Sequence, residues 1–293
     1  MLKNRLFLWK RLVAVMACVL TLSGVSFASS DTVQDRSLPS FRVTSLHQWV
    51  VDRMVTWAPP GLSYVKEAKE SEEEGRRRYE DIANDIMTVT YDPAERPIFQ
   101  GANGRAMTTA LLTSIAFYES AYRKDVDTGV GPKAQGDSGK SWCLMQVKLG
   151  TLEKDTGRTK LRVVVGPNGG LRFVSSEREP GYATAWGGED LVQDRTKCFR
   201  VALRIARLSF GSCSKLGVQD RLSMYASGRC EVGEDASRRR VSRAQQWLWK
   251  SRPPMLDAQA LDLLWSDIPV PPQGEGAFLF FGAPKDIVQT FFI

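Results

Sequence analysis

The sequence predicts a mostly helical α+β domain carrying a small β-hairpin insertion, and three observations support this. Apolar residues recur at helical spacing through most of the chain from Phe41 to Lys250. One stretch breaks the pattern. Leu161-Arg162-Val163-Val164-Val165 and Leu171-Arg172-Phe173-Val174 flank Gly166-Pro167-Asn168-Gly169-Gly170, which reads as a hairpin about a tight turn. Residues 61–250 also have the length of one ordinary domain.

The chain opens with a leader. Lys3, Arg5, Lys10 and Arg11 form a positive region, Leu12 to Leu22 an apolar one, and Ser26-Phe27-Ala28 supplies the small residues a signal peptidase reads. Residues 1–28 are therefore expected to be a cleaved secretory signal. A membrane anchor is disfavoured, because the apolar run falls short of the roughly 20 residues a spanning helix needs. Cys18 as a lipidation site fits less well, since Met16 is a poor residue before it and more apolar chain follows. Residues 29–60 form a polar leader segment and a short helix with Val43, Leu46, Val50 and Met54 on one face, stopped by Pro59-Pro60.

A second helix is expected from about Ser63 to Val89, its run from Glu70 to Arg78 forming a solvated face. Tyr91 to Gly104 reads as a loop leading into a helix that is apolar on almost every side from Ala110 to Tyr118 and ends on Glu119-Ser120. Beyond it come a Ser-Gly-rich loop, Gly136 to Ser141, and a strand containing Met145-Gln146. Helices are expected at Leu191 to Ser209, Val218 to Ala226 and Ser237 to Lys250. Residues 251–293 form a Pro-rich tail with a short amphipathic stretch, Leu256 to Leu264, and a phenylalanine-rich end that could pack back or bind an unknown partner.

Charge gives little support to nucleic-acid binding. The formal charge is +7, and the four basic residues of the leader have no acidic partners there, so their removal leaves +3. The run Arg238-Arg239-Arg240 with Arg243 could touch an anionic polymer, although such runs are more often a solvated helix face. Four cysteines, Cys143, Cys198, Cys213 and Cys230, survive loss of the leader, and an even count in an exported chain points to two disulfides. Three pairings are possible. Cys198 lies inside a helix and Cys213 beyond its end, too far apart to bridge easily at about 1.5 Å rise per residue, which favours Cys143–Cys198 with Cys213–Cys230. No metal site is expected, because no close cysteine pair occurs and the single histidine, His47, is remote. The same lone histidine removes Ser-His-Asp and Cys-His schemes.

Glu119 is the candidate proton donor. A carboxyl on a helix this apolar is hard to solvate, and desolvation raises its pKa so that it can hold a proton near neutrality. Protonating a leaving oxygen is the central need of glycosidic-bond cleavage.

The order Glu119-Ser120, Ser138-Gly139 leading to Leu144-Met145-Gln146, then Tyr225-Ala226-Ser227-Gly228 resembles the lytic transglycosylases of the lysozyme-like superfamily. Their Glu-Ser and Met-Gln motifs match. Cys143 stands in place of a glycine, Cys198-Phe199 in place of Asn-Ile, and Ala226 in place of an asparagine. Two motif positions thus became cysteines, which suits a disulfide between them.

The resemblance covers about Ala106 to Gly228 and implies a lysozyme-like domain over 61–250 acting on peptidoglycan glycan strands, with no cofactor. It implies Glu119 as acid and then base, Ser120 and Ser138 as hydroxyls near the sugar, Met145 and Gln146 lining the site, and the Tyr225 hydroxyl near Glu119. Bland roles compete for each: helix capping or turns for the serines, core packing for Met145 and Tyr225. Trp142 and Trp186 could stack on sugars or pack. Two other functions stay open: a hydrolytic muramidase using Asp125, Asp127 or Asp137 as a second carboxylate, and a non-catalytic glycan-binding protein of the same fold.

Overall fold

The computed structural model describes residues 45–253 apart from 102, 150, 155–156, 161, 166–169 and 175–184. The leader, the polar segment after it, residues 166–169 of the hairpin's turn and residues 254–293 of the tail fall outside the described residues.

Helix α1 spans Ser45–Trp57 and α2 Glu72–Thr90. The sequence places the second helix's start near Ser63, but a 3₁₀ turn at Lys66–Ala68 intervenes and α2 begins after Ser71. Ser71 and Glu74 cap each other's backbone reciprocally, and Glu72, Glu73 and Glu74 sit at the positive end of the helix dipole. The central helix α3, Gly104–Ser120, packs against α1, α2 and the C-terminal helix.

Its Met107, Leu111, Leu112 and Ile115 are fully buried, each contributing roughly 1.5–3 kcal/mol. Three threonines share that core without an unmet polar atom. Thr108, Thr109 and Thr113 donate their hydroxyls to the carbonyls of Gly104, Arg105 and Thr109, at 2.8, 2.9 and 2.8 Å.

A short helix α4, Lys124–Thr128, follows. Next come β1, Ser141–Trp142, and β2, Val147–Lys148, paired antiparallel. Leu144-Met145-Gln146 therefore lies in the turn between two strands and not on a strand. A hairpin of β3, Thr151–Lys154, and β4, Gly157–Lys160, precedes the expected one and was not among the expected elements. The expected hairpin is present as β5, Arg162–Val165, and β6, Leu171–Val174, with Val163 opposite Phe173 and Val165 opposite Leu171. Alternation divides its faces. Val163 and Leu171 join the main core, while Val164 and Val174 close a small cluster with Ala185.

The helix expected from Leu191 to Ser209 is two. Helix α5, Gly188–Gln193, stops at Asp194, whose carboxylate caps the backbone N–H groups of Thr196 and Lys197 at the start of α6, Arg195–Ser212. The next expected helix is likewise divided into a 3₁₀ turn, Val218–Asp220, and α7, Ser223–Ser227. Helix α8, Glu234–Lys250, closes the domain and buries Val241, Ala244, Trp247 and Leu248. Among the described residues no helix is long and apolar enough to cross a membrane.

Both disulfides form as the cysteine spacing favoured. Cys143–Cys198 ties the β1–β2 turn to α6 across 55 residues, and Cys213–Cys230 spans 17. In the chain-entropy picture such closures stabilise by about 4 and about 3 kcal/mol. Their presence suits an oxidising, exported environment. Thiol titration of the denatured, unreduced exported protein should find no free thiol, and reduction should lower the melting temperature. Four titratable thiols would refute the pairing.

Candidate active site

Glu119 occupies the last turn of α3, with Ala121 as a left-handed helix cap at φ 49°. Its side chain is 16% exposed. Oε1 accepts two hydrogen bonds from Arg240 of α8, from Nη2 at 2.7 Å and Nε at 3.1 Å. Arg240 is itself fixed: its Nη1 donates to the Ala236 carbonyl at 2.7 Å, and its backbone carbonyl accepts the Ser114 hydroxyl at 2.7 Å. Ser114 lies on α3, so the helix that carries the acid also anchors the arginine that grips it. Oε2 carries no hydrogen bond among the described residues and is not sealed from solvent.

Burial pushes the Glu119 carboxyl above the ordinary carboxylate range. Arg240 pulls the other way by charge and hydrogen bonding, and Asp137 adds an upward push, with burial the largest effect. Because Oε1 already receives two N–H donors, the proton of the neutral acid belongs on Oε2, the oxygen left accessible. That is the geometry of a proton donor.

The loop over this carboxyl is tightly folded. The Gly136 carbonyl accepts the backbone N–H groups of Gly139, Lys140 and Ser141 at 3.0, 3.0 and 3.1 Å. A Cβ at Gly136 would fall 2.2 Å from the Gln146 amide oxygen, so a side chain there would have to displace that amide. Among the described residues, every non-glycine residue with a left-handed backbone lies either just after Glu119, at Ala121 and Tyr122, or in this loop, at Asp137, Ser138, Cys143 and Gln146. Left-handed residues of this kind are strained, and such strain concentrates at functional sites.

The other sequence-predicted residues divide. Tyr225 donates its hydroxyl to the Met145 carbonyl at 2.8 Å, and its pKa is driven well up by burial and then by the Glu119 charge. Ser138 is exposed on the loop. Gln146 folds inward, its Nε2 donating to the Cys143 carbonyl at 3.0 Å. Met145 corrects its expectation as a lining side chain, being fully buried in the core and offering only its carbonyl. Ser120 also turns inward, donating to the Ala116 carbonyl at 2.9 Å and accepting from the Tyr122 N–H at 3.2 Å. Trp142 is buried with its ring against Gly188, where a Cβ would lie 2.0 Å from the indole. Trp186 pairs its backbone with Val163 and lies under Lys197, 5.7 Å from the ring centre.

The three candidate second carboxylates separate even more clearly. Asp125 and Asp127 are buried on α4. Asp127 is gripped by Arg195 at 2.6 and 2.8 Å and approached by Arg78 at 3.4 Å, a structural role. Arg195 also borders a cavity of about 390 Å³, lined by Asp85, Asp127, Thr128, Val192, Gln193, Asp194 and itself. Burial lifts Asp85 there to about 6. The carboxylates Asp85 and Asp127 close on Arg195, and the acid Glu119 is not among the lining residues, so the cavity is not taken as the site. Asp137 differs. Its side chain is 57% exposed, and Oδ2 accepts the Ser141 hydroxyl at 3.0 Å and faces the Lys148 ammonium at 3.5 Å.

Sequence reasoning missed Arg240 as a site residue. It was visible only as one member of a basic run on α8. Among the described residues, no cluster of three or more side chains suited to a metal occurs. No family model matches the chain, and no curated protein or solved structure matches it.

Proposed function

We propose that the protein is an exported glycosidase of peptidoglycan with a lysozyme-like domain, acting as a lytic transglycosylase on the bond between N-acetylmuramic acid and N-acetylglucosamine. The observation that carries this reading is the Glu119 carboxyl, pushed up in pKa by burial with one oxygen held by Arg240 and the other left open. In the reaction, Oε2 protonates the glycosidic oxygen as the bond to the muramoyl C1 breaks. The resulting carboxylate then accepts the proton of the muramoyl C6 hydroxyl as that oxygen closes on C1. Capture by a group already in the substrate needs neither water nor a second carboxylate. Arg240 stabilises the carboxylate formed between the two steps. The leader and the two disulfides support action in the periplasm or outside the cell.

One observation favours a second reading. Asp137 is exposed, oriented by Ser141 and Lys148, and near enough to Glu119 to raise its pKa, as the second carboxylate of a hydrolase would be. Mass spectrometry of muropeptides released from purified sacculi separates the two. A transglycosylase leaves 1,6-anhydro-muramic acid ends, whereas a hydrolase leaves reducing ends heavier by one water. Reducing ends that vanish in Asp137→Asn would replace the first reading with the second.

A further inference from the structure

We propose that Arg243, one helical turn along α8 from the arginine that holds Glu119, binds a carboxylate carried by the substrate; the proposal rests on the glycosidase reading above. Arg240 and Arg243 are three residues apart on α8 and so share a face. The Arg243 guanidinium stacks 3.6 Å from the centre of the Trp57 ring. Trp57 is 37% exposed and is held from behind by Phe117 and Trp247, each with ring centres 6.3 Å away. Arg240 holds Glu119, so α8 sets the stacked pair about one helical turn along from the arginine that grips the acid.

Arg243 is a half-buried cation with no counter-charge among the described residues. Arg238 on the same helix pairs with Asp220, Glu234 and Asp235, and Arg240 pairs with Glu119. Arg243 faces no carboxylate among the described residues; its Nη1 donates to the neutral Gln246 at 2.7 Å, and its Nε is buried without an acceptor. The stack on Trp57 is itself a favourable cation–π contact, yet the charge meets no counter-ion among the described residues and its buried Nε meets no acceptor. The stack keeps the guanidinium plane rigid and leaves in-plane N–H donors for a bidentate acid. Muramoyl glycan offers such an acid from two sources, the lactyl ether and the stem peptide.

Binding of the full-length exported protein carrying Glu119→Gln, which prevents turnover, tests the proposal against three probes. These are neutral N-acetylglucosamine oligomers, muramoyl strands stripped of stems so that the lactyl carboxylate is free, and strands with stems intact. Adding Arg243→Gln should weaken binding of one or both acidic probes by roughly tenfold to a hundredfold and leave the neutral oligomer unchanged. Loss confined to intact strands assigns the stem, and loss on stripped strands assigns the lactyl group. Arg243→Lys should restore part of the affinity, and melting curves of both variants exclude misfolding. Equal binding of acidic probes with and without Arg243 overturns the proposal while leaving the glycosidase standing. Failure of every probe to bind, together with no cleavage by the wild-type protein, overturns both.

Discussion

Glu119→Gln is expected to reduce cleavage of peptidoglycan strands on the order of a thousandfold, with the fold unchanged. The amide keeps the shape of the carboxyl and can still accept from Arg240, but it has no proton to give. A variant that turned over at the wild-type rate would remove Glu119 as the acid. Binding without turnover in the wild-type protein itself would instead favour a non-catalytic glycan-binding protein. Because burial raises the pKa of Glu119, the native state binds its proton more tightly than the unfolded chain does. Stability therefore falls as pH rises from the unfolded value through the native one and levels off above it, and the neutral amide escapes that loss. Melting temperature at neutral pH should accordingly hold or rise in the variant. Activity that needs the protonated acid should decline as pH rises through the native pKa, above the ordinary carboxylate range.

Glu95→Gln should be the most damaging change away from the site, lowering stability by about 3–5 kcal/mol. Glu95 is buried in the segment before α3 and is the meeting point of three arginines on one face of α6. Arg204 reaches it at 2.6 Å, Arg200 at 3.0 Å and Arg207 at 3.8 Å. Removing the negative charge leaves Arg204, itself buried, with its counter-ion gone. Denaturant unfolding with the disulfides intact measures the effect through its midpoint. A midpoint within 1 kcal/mol of wild type, at unchanged slope, would show that the cluster is solvated well enough to dispense with Glu95.

Glu95 also shows where sequence reading reaches its limit. Tyr91 to Gly104 was legible as a loop from its prolines and glycines, and it is one, but nothing local marks Glu95 as buried. Its partners are more than a hundred residues away. Periodicity finds faces of helices because neighbours at three and four residues reinforce one another, and it carries no record of which distant charge meets which. Break points suffer similarly. Asp194 caps α6 and ends the pattern that made Leu191 to Ser209 look continuous, a local decision between two hydrogen-bonding modes that apolar spacing does not register.

By itself the sequence determined the mostly helical class and the β5–β6 hairpin, favoured the observed pairing of the four cysteines and pointed to Glu119 as the candidate acid. Each rests on spacing along the chain or on the count of one residue type. Tertiary structure alone decided the rest of the site. It brought Arg240 from 121 residues away onto one oxygen of Glu119 and set Asp137 close enough to influence it. It turned Ser120 and Met145 into the core and left Arg243 on Trp57 without a counter-charge. The physical reason is that burial and electrostatics depend on distance through space, which only the packing of α3, α8 and the Gly136–Gln146 loop against one another sets.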